Sequence, residues 1–168
     1  MIDGMDTLTE LPGREQFEAL ILREEMRRSR TGETLAVAVL DIDGVSDVTE
    51  RHGDDAGGAL ILLCLEALKG TLRAVDEIAR TGHDEFSILL HATDAKRANA
   101  WADRFDVMLE DVATGHPAAE ITCSLGVADT QETPTLVEAV ARARRRMEVV
   151  QTVRKLRRLR ESGGAQDA

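Results

Sequence analysis

Four carboxylates in two short clusters are the residues of this chain best suited to chemistry. Asp41 and Asp43 stand in Leu40-Asp41-Ile42-Asp43, and Asp84 and Glu85 in Gly82-His83-Asp84-Glu85-Phe86. Carboxylates that a fold brings together repel one another unless a cation joins them. Hard oxygen donors of this kind suit Mg²⁺, which completes its shell with waters and phosphate oxygens. Two such ions flanking a phosphate activate a hydroxyl for phosphoryl transfer. Spacing alone leaves a second reading open: Asp41 and Asp43 as strand-end or helix-capping acids, and Asp84-Glu85 as the solvated end of a hairpin.

The elements that must position these acids follow from apolar periodicity. Pro12-Gly13 marks a turn, after which Phe17, Leu20 and Ile21 recur at helical spacing up to Thr31-Gly32. Over residues 35–43, Leu35, Val37 and Val39 alternate with the equally apolar Ala36, Ala38 and Leu40, the pattern of a central strand buried on both faces. Residues 45–52 read as a short helix closed by Gly53, and 55–72 as a deeply buried helix. Residues 77–81 and 84–91 read as two strands around Gly82-His83, a β-hairpin. An amphipathic helix over 94–112, a strand carrying Ile121, Cys123, Leu125 and Val127, and a long helix opened by Pro134 complete the chain. The order α β α α β β α β α predicts one sheet with helices packed on it. A βαβ crossover between the first strand and the hairpin would set Asp41-Ile42-Asp43 beside residues 82–85.

Length and composition bound the rest. The chain has 168 residues and a net charge of −10, with 43% hydrophobic and 31% charged residues, as expected of one folded domain over residues 1–160 with a flexible tail at 161–168. The longest apolar run, residues 59–65, is far below the roughly 20 needed to span a bilayer. No basic-then-apolar start resembles a secretory signal, and Cys64 and Cys123 read as buried free thiols, so the expected setting is cytoplasmic, with no membrane partner. The negative charge argues against nucleic-acid binding. The arginines from Arg142 onward read as a solvated helix face. His52, His91 and His116 read as surface or turn residues, and Trp101 as core or half-buried.

Taken in order along the chain, the motifs resemble the GGDEF family, the diguanylate cyclases. Asp6-Thr7-Leu8-Thr9-Glu10-Leu11-Pro12-Gly13-Arg14, with Phe17, is similar to the family's opening signature. Leu40-Asp41-Ile42-Asp43 matches its first metal strand, Arg80-Thr81-Gly82-His83-Asp84-Glu85-Phe86 its signature hairpin, and Ser124-Leu125-Gly126-Val127 a later strand. The resemblance implies a palm-like α/β (α+β) fold, a central mixed sheet flanked by helices with the signature on a β-hairpin. It implies members that join two GTP molecules into cyclic di-GMP across a symmetric pair of domains, using Mg²⁺. It places Asp41, Asp84 and the Ile42 carbonyl at the metal positions, and Asp84 and Glu85 at the catalytic ones.

The departures bear on activity. Ser46 stands where the family has a phosphate-contacting lysine, Thr49 and Gly58 where it has the asparagine and aspartate that read guanine, and Glu148 where it has a phosphate-binding lysine. A lost bidentate contact to a base edge forfeits about 1–3 kcal/mol of discrimination. A glutamate in place of a lysine turns attraction to a triphosphate into repulsion. His83 replaces the second signature glycine, so it is expected to adopt a left-handed backbone conformation and to fill space a phosphate would use. A shift in register of the last helix would let Arg144 or Arg145 replace the missing lysine.

Arg73-Ala74-Val75-Asp76 lies nine residues before Gly82, a spacing that resembles the family's inhibitory Arg-x-x-Asp site for cyclic di-GMP. An arginine fork engages the O6/N7 edge of guanine or a phosphate, and an aspartate accepts from its N1 and N2 side. Otherwise the pair is a surface salt bridge worth roughly 0–1 kcal/mol. Three functions therefore go forward: a degenerate domain that binds cyclic di-GMP through Arg73 and Asp76 without making it, an active cyclase on GTP with product inhibition, and an interaction domain that binds no nucleotide. A second copy, or a fused or partner signalling domain, is the expected protein partner.

Overall fold

The computed structural model describes residues 4–115 and 121–164. Helix α1 (Arg14–Thr31) ends at Gly32, whose φ of 68° suits a residue without a Cβ. Strand β1 (Ala36–Ile42) follows, then α2 (Val45–His52) and α3 (Asp54–Thr71). The hairpin β2 (Glu77–Arg80) and β3 (Glu85–Leu90) leads to α4 (Ala95–Ala113), β4 (Cys123–Asp129) and α5 (Leu136–Gly164).

The sheet order is β2-β3-β1-β4, and every neighbouring pair is antiparallel. The expectation of a mixed sheet is corrected here. The crossover from β1 through α2 and α3 delivers β2 one place away from β1, and β3 turns back into the gap, giving a split βαβ arrangement. No two parallel strands are then adjacent.

Strand β1 divides the core as its two apolar faces require. Ala36, Ala38, Leu40 and Ile42 face one buried cluster with Leu60, Ile61 and Leu68 of α3 and Trp101 and Phe105 of α4. Leu35, Val37 and Val39 face the other, with Phe17 and Ile21 of α1 and Leu136, Ala139, Ala143 and Met147 of α5. Full burial of one such side chain contributes about 1.5–3 kcal/mol. At Gly126, where β4 meets α5, an added methyl would strike the α5 backbone at Ala143 and Met147.

One further expectation is revised. His83 does not have a positive φ, nor does Gly82; the Arg80 guanidinium holds the turn by donating to the His83 carbonyl at 2.5 and 3.2 Å. His91 lies in the turn after β3, as expected, with its side chain 15% exposed and bonded through Nε2 to Glu77 at 3.1 Å. His116 lies outside the described residues. Helix α5 continues to Gly164, and residues 165–168 lie outside the described ones. Cys64 and Cys123 are free and buried, their Sγ atoms 3.8 Å apart. Among the described residues no helix is long and apolar enough to cross a membrane.

Candidate functional site

Two pockets lie at opposite ends of β3. The first, about 800 Å³, is bounded by Asp41, Ile42 and Asp43 at the end of β1, Ser46 at the start of α2, Asp84 in the hairpin turn, and Gln151, Arg154, Lys155 and Arg158 of α5. Sheet register sets the acids beside one another. Asp41 pairs with Glu85 across the ladder, and the Ile42 amide donates to the Asp84 carbonyl at 2.9 Å. The Asp41 carboxyl is pushed up to about 7, first by burial and then by the nearby charges of Asp84, Asp43 and Glu85.

The other two carboxylates are engaged. Asp43 accepts from the Thr122 hydroxyl at 3.0 Å, the Ser124 hydroxyl at 2.8 Å and Arg154 Nη1 at 3.0 Å, and its side chain is only 6% exposed. Glu85 turns away from the pocket into a two-pronged pair with Arg144, at 2.6 and 2.9 Å, and takes the Thr81 hydroxyl at 2.6 Å. Arg144 is therefore not a replacement for the missing lysine, and Arg145 lines a groove between α1 and α5 instead.

The substituted positions are dispersed. Ser46 lines the pocket, whereas Thr49, Gly58 and Glu148 do not. Thr49 Oγ1 fills the space above Gly57, Gly58 lies against Leu8, and Glu148 is exposed on α5. Among the described residues no three or more His, Cys, Asp or Glu side chains are grouped to hold a metal. Two carboxylates, Asp41 and Asp84, and the Ile42 carbonyl remain. That set fits one Mg²⁺ completed by waters or phosphate oxygens, and a cation there would relieve the crowding that raises Asp41.

The second pocket, about 260 Å³, is built on the turn between α3 and β2 and on the first half of α4. Thr71, Arg73, Asp76, Thr93, Arg97, Trp101 and Arg104 line it. Asp76 is buried, its side chain 2% exposed, while Arg73 is 54% exposed. Asp76 accepts from Arg73 Nε at 3.1 Å, Nη2 at 2.9 Å and the Arg73 amide at 2.9 Å, and from the His91 amide at 3.1 Å. Its carboxylate is thus saturated. It fixes Arg73, which also donates to the His91 carbonyl at 2.6 Å and the Thr93 hydroxyl at 3.0 Å. Without ligand, the Asp76 acceptors expected to face guanine are taken by the Arg73 side chain and by the amides of residues 73 and 91. The Asp76 hydrogen bonds hold the Arg73 guanidinium in its charged form.

Arg97 and Arg104 escaped sequence reasoning. They flank Trp101 at i−4 and i+3 on one face of α4, a spacing visible in the sequence but read only as amphipathic helix. Trp101 is buried as expected, and its indole N–H has no hydrogen-bond partner among the described residues.

The family model described as "Diguanylate cyclase, GGDEF domain" matches residues 4–155. Diguanylate cyclase DgcP of Pseudomonas aeruginosa is 34% identical over 125 residues, covering 73% of this chain and 18% of that protein. This chain spans 18–40% of the lengths of the curated relatives it matches. A microbial GGDEF domain solved for its interaction with bis-(3′,5′)-cyclic di-GMP is 27% identical with a TM-score of 0.75, covering 89% of this chain and 94% of that one. The diguanylate cyclase SiaD of Pseudomonas aeruginosa, solved with its activator SiaC, is 26% identical with a TM-score of 0.76, covering 90% of this chain and 59% of that one.

Proposed function

The chain belongs to the diguanylate cyclase GGDEF family, and from that premise we propose that it reads cyclic di-GMP rather than making it. The observation that carries this reading is the arginine pocket. Three guanidinium groups, Arg73, Arg97 and Arg104, surround one cavity, and a buried aspartate holds the first of them outward. A cyclic dinucleotide offers two phosphates and two guanine O6/N7 edges, all acceptors that a planar arginine fork meets well.

The acidic pocket supports the other half of the proposal. Ser46 and the exposed Glu148 leave the triphosphate without two cations, and Asp43 and Glu85 are bound by arginines of the chain itself. Where a nucleoside triphosphate enters, Asp41, Asp84 and the Ile42 carbonyl would hold Mg²⁺, which neutralises phosphate charge and activates a hydroxyl. Phosphoryl transfer depends on positioning as much as on charge, and here the positioning groups are dispersed. The two free thiols support a reducing, cytoplasmic setting.

Titration with cyclic di-GMP tests the proposal, read by calorimetry and by the emission of Trp101, the single tryptophan, which lies in the pocket. Binding in the micromolar range that Arg73→Ala removes is the expected result. Absence of binding at tens of micromolar, or equal binding by the variant, overturns it. The availability of Asp41 and Asp84 favours the second reading, an active cyclase. Incubation with GTP and Mg²⁺ or Mn²⁺ followed by chromatography is expected to yield no product, and cyclic di-GMP in that assay would establish the second reading instead. If no guanine nucleotide raises the melting temperature, the domain serves protein contacts alone, with a second copy or a fused signalling domain as partner.

A further inference from the structure

The C-terminal part of α5 lies directly on the acidic pocket. Gln151 Nε2 donates to Asp41 Oδ1 at 2.7 Å. Three residues on, Arg154 Nη1 donates to Asp43 Oδ2 at 3.0 Å and to the Cys123 carbonyl. One turn further, Arg158 Nη2 donates to the Thr122 hydroxyl at 2.8 Å. Positions 151, 154 and 158 share one face of the helix, so a single rigid arm delivers all three donors. The contacts span 110, 111 and 36 residues of sequence, so they are a product of tertiary packing.

We propose that residues 151–158 form an autoinhibitory arm, a peptide-borne counter-charge on the carboxylates where a divalent cation would enter. The Asp41 oxygen that accepts from Gln151 is one a metal ion would need. The Arg154 guanidinium fixed on the neighbouring Asp43 repels an incoming dication. Burial holds the Asp106 carboxyl of α4 above its ordinary value, and the nearby Arg154 charge works against that shift. Metal and arm therefore compete. By linkage, a signal that lifts the arm raises metal affinity by the factor with which metal lifts the arm. The inference stands independently of the Arg73 pocket and of whether any nucleotide is turned over.

Titration of the full chain with Mn²⁺ alone, followed by the electron-paramagnetic-resonance signal of the free ion, tests it. The double variant Gln151→Ala, Arg154→Met should bind Mn²⁺ at least about tenfold more tightly than the unaltered chain, as expected when hydrogen bonds to a charged competitor are removed. Asp41→Asn added to the double variant should abolish that gain. Amide exchange across residues 151–158 of the unaltered chain should quicken as Mn²⁺ saturates. Equal Mn²⁺ affinity in the unaltered and double-variant chains, or a gain that survives Asp41→Asn, overturns the proposal. Should the double variant fail to fold, Gln151→Ala alone, which leaves Arg154 on Asp43, must still tighten Mn²⁺ binding about threefold; an unchanged affinity there also overturns it.

Discussion

The two ends of β3 solve opposite electrostatic problems. At its start, carboxylates crowd and arginines from α5 neutralise them: Arg154 on Asp43, Arg144 on Glu85. At its end, arginines gather and one buried carboxylate, Asp76, orients the foremost of them. The difference lies in which partner is left open. Asp43 and Glu85 are closed by their pairs, with side chains 6% and 9% exposed, whereas Arg73 keeps more than half its surface after pairing. An intramolecular ion pair thus closes the charged groups at one end and leaves an oriented, open guanidinium at the other. Residue type alone does not distinguish the two cases; the exposure of the charged head does.

The largest expected effect attacks the closed end. Glu85→Ala removes the two-pronged acceptor of Arg144 and one of the two buried partners of the Thr81 hydroxyl, leaving it only Ser87. Breaking a buried pair by deleting one member costs about 3–5 kcal/mol, and the partly open Arg144 places this case at the lower end. The urea midpoint measures it, with Glu85→Gln retaining more of the stability because its amide oxygen still accepts. A loss below about 1 kcal/mol would mean that the pair is a solvated surface bridge and that the acidic end is open after all.

Next comes the open end. Arg73→Ala is expected to weaken cyclic di-GMP binding about 10- to 100-fold, the range for losing hydrogen bonds from a charged donor. Its own melting temperature should fall modestly, because the buried Asp76 carboxylate loses the guanidinium but keeps the backbone amides of residues 73 and 91. Asp76→Asn should weaken binding as well, by releasing Arg73, and in addition lower the melting temperature. The pair of variants separates a residue that touches ligand from one that positions it.

Much of this comparison was legible in the chain before folding, and the illegible part has a physical reason. The double-sided apolar alternation of residues 35–42 identified the central strand, and the element order from α1 to α5 was read correctly. Strand direction was not, because local periodicity cannot say that β3 would fill the gap left by the crossover. Asp41, Asp43, Asp84 and Glu85 were read as one cluster; register brings the first three together at one pocket, while Glu85 turns away to Arg144. Their partners Gln151 and Arg154 lie more than a hundred residues away, beyond the reach of any local pattern. The burial of Asp76 was hidden for a related reason. It depends on the His91 amide and on Arg73 folding back from a turn, contacts that a four-residue motif does not encode.

A smaller effect sharpens the contrast through pH. Asp41 carries a carboxyl raised to about 7 in the folded chain, against an ordinary value of 3.8. Between those values the folded state holds a proton that the unfolded state has released, so this group's contribution to stability falls as pH rises from about 4 to 7 and is constant above. Asp41→Asn removes that penalty. The side chain is only partly buried, so the gain at pH 8 is expected at about 1 kcal/mol, well below the full linkage, and close to zero at pH 4. Melting temperatures of both proteins at the two pH values, in the presence of a chelator, check the sign. A variant that is less stable at pH 8 would show that the Gln151 hydrogen bond outweighs the crowding.

The smallest effect tests how far the open end extends along α4. Arg97 and Arg104 each donate weakly to carbonyls of their own neighbourhood, at 3.4 and 3.3 Å, and so give up little when a ligand draws them away. Being exposed and jointed by long side chains, they lose rotamer freedom on binding, which offsets much of the contact each makes. Arg104→Ala and Arg97→Ala are therefore expected to weaken cyclic di-GMP binding only about two- to fivefold each, with a shallower salt dependence and unchanged stability. Because Asp76 pre-pays the ordering of Arg73 and nothing comparable fixes the other two, the ranking Arg73 above Arg104 and Arg97 is itself the test. Equal losses at all three would mean that the pocket recognises its ligand by summed positive charge, and that the fixed geometry of the Arg73–Asp76 pair contributes nothing to recognition.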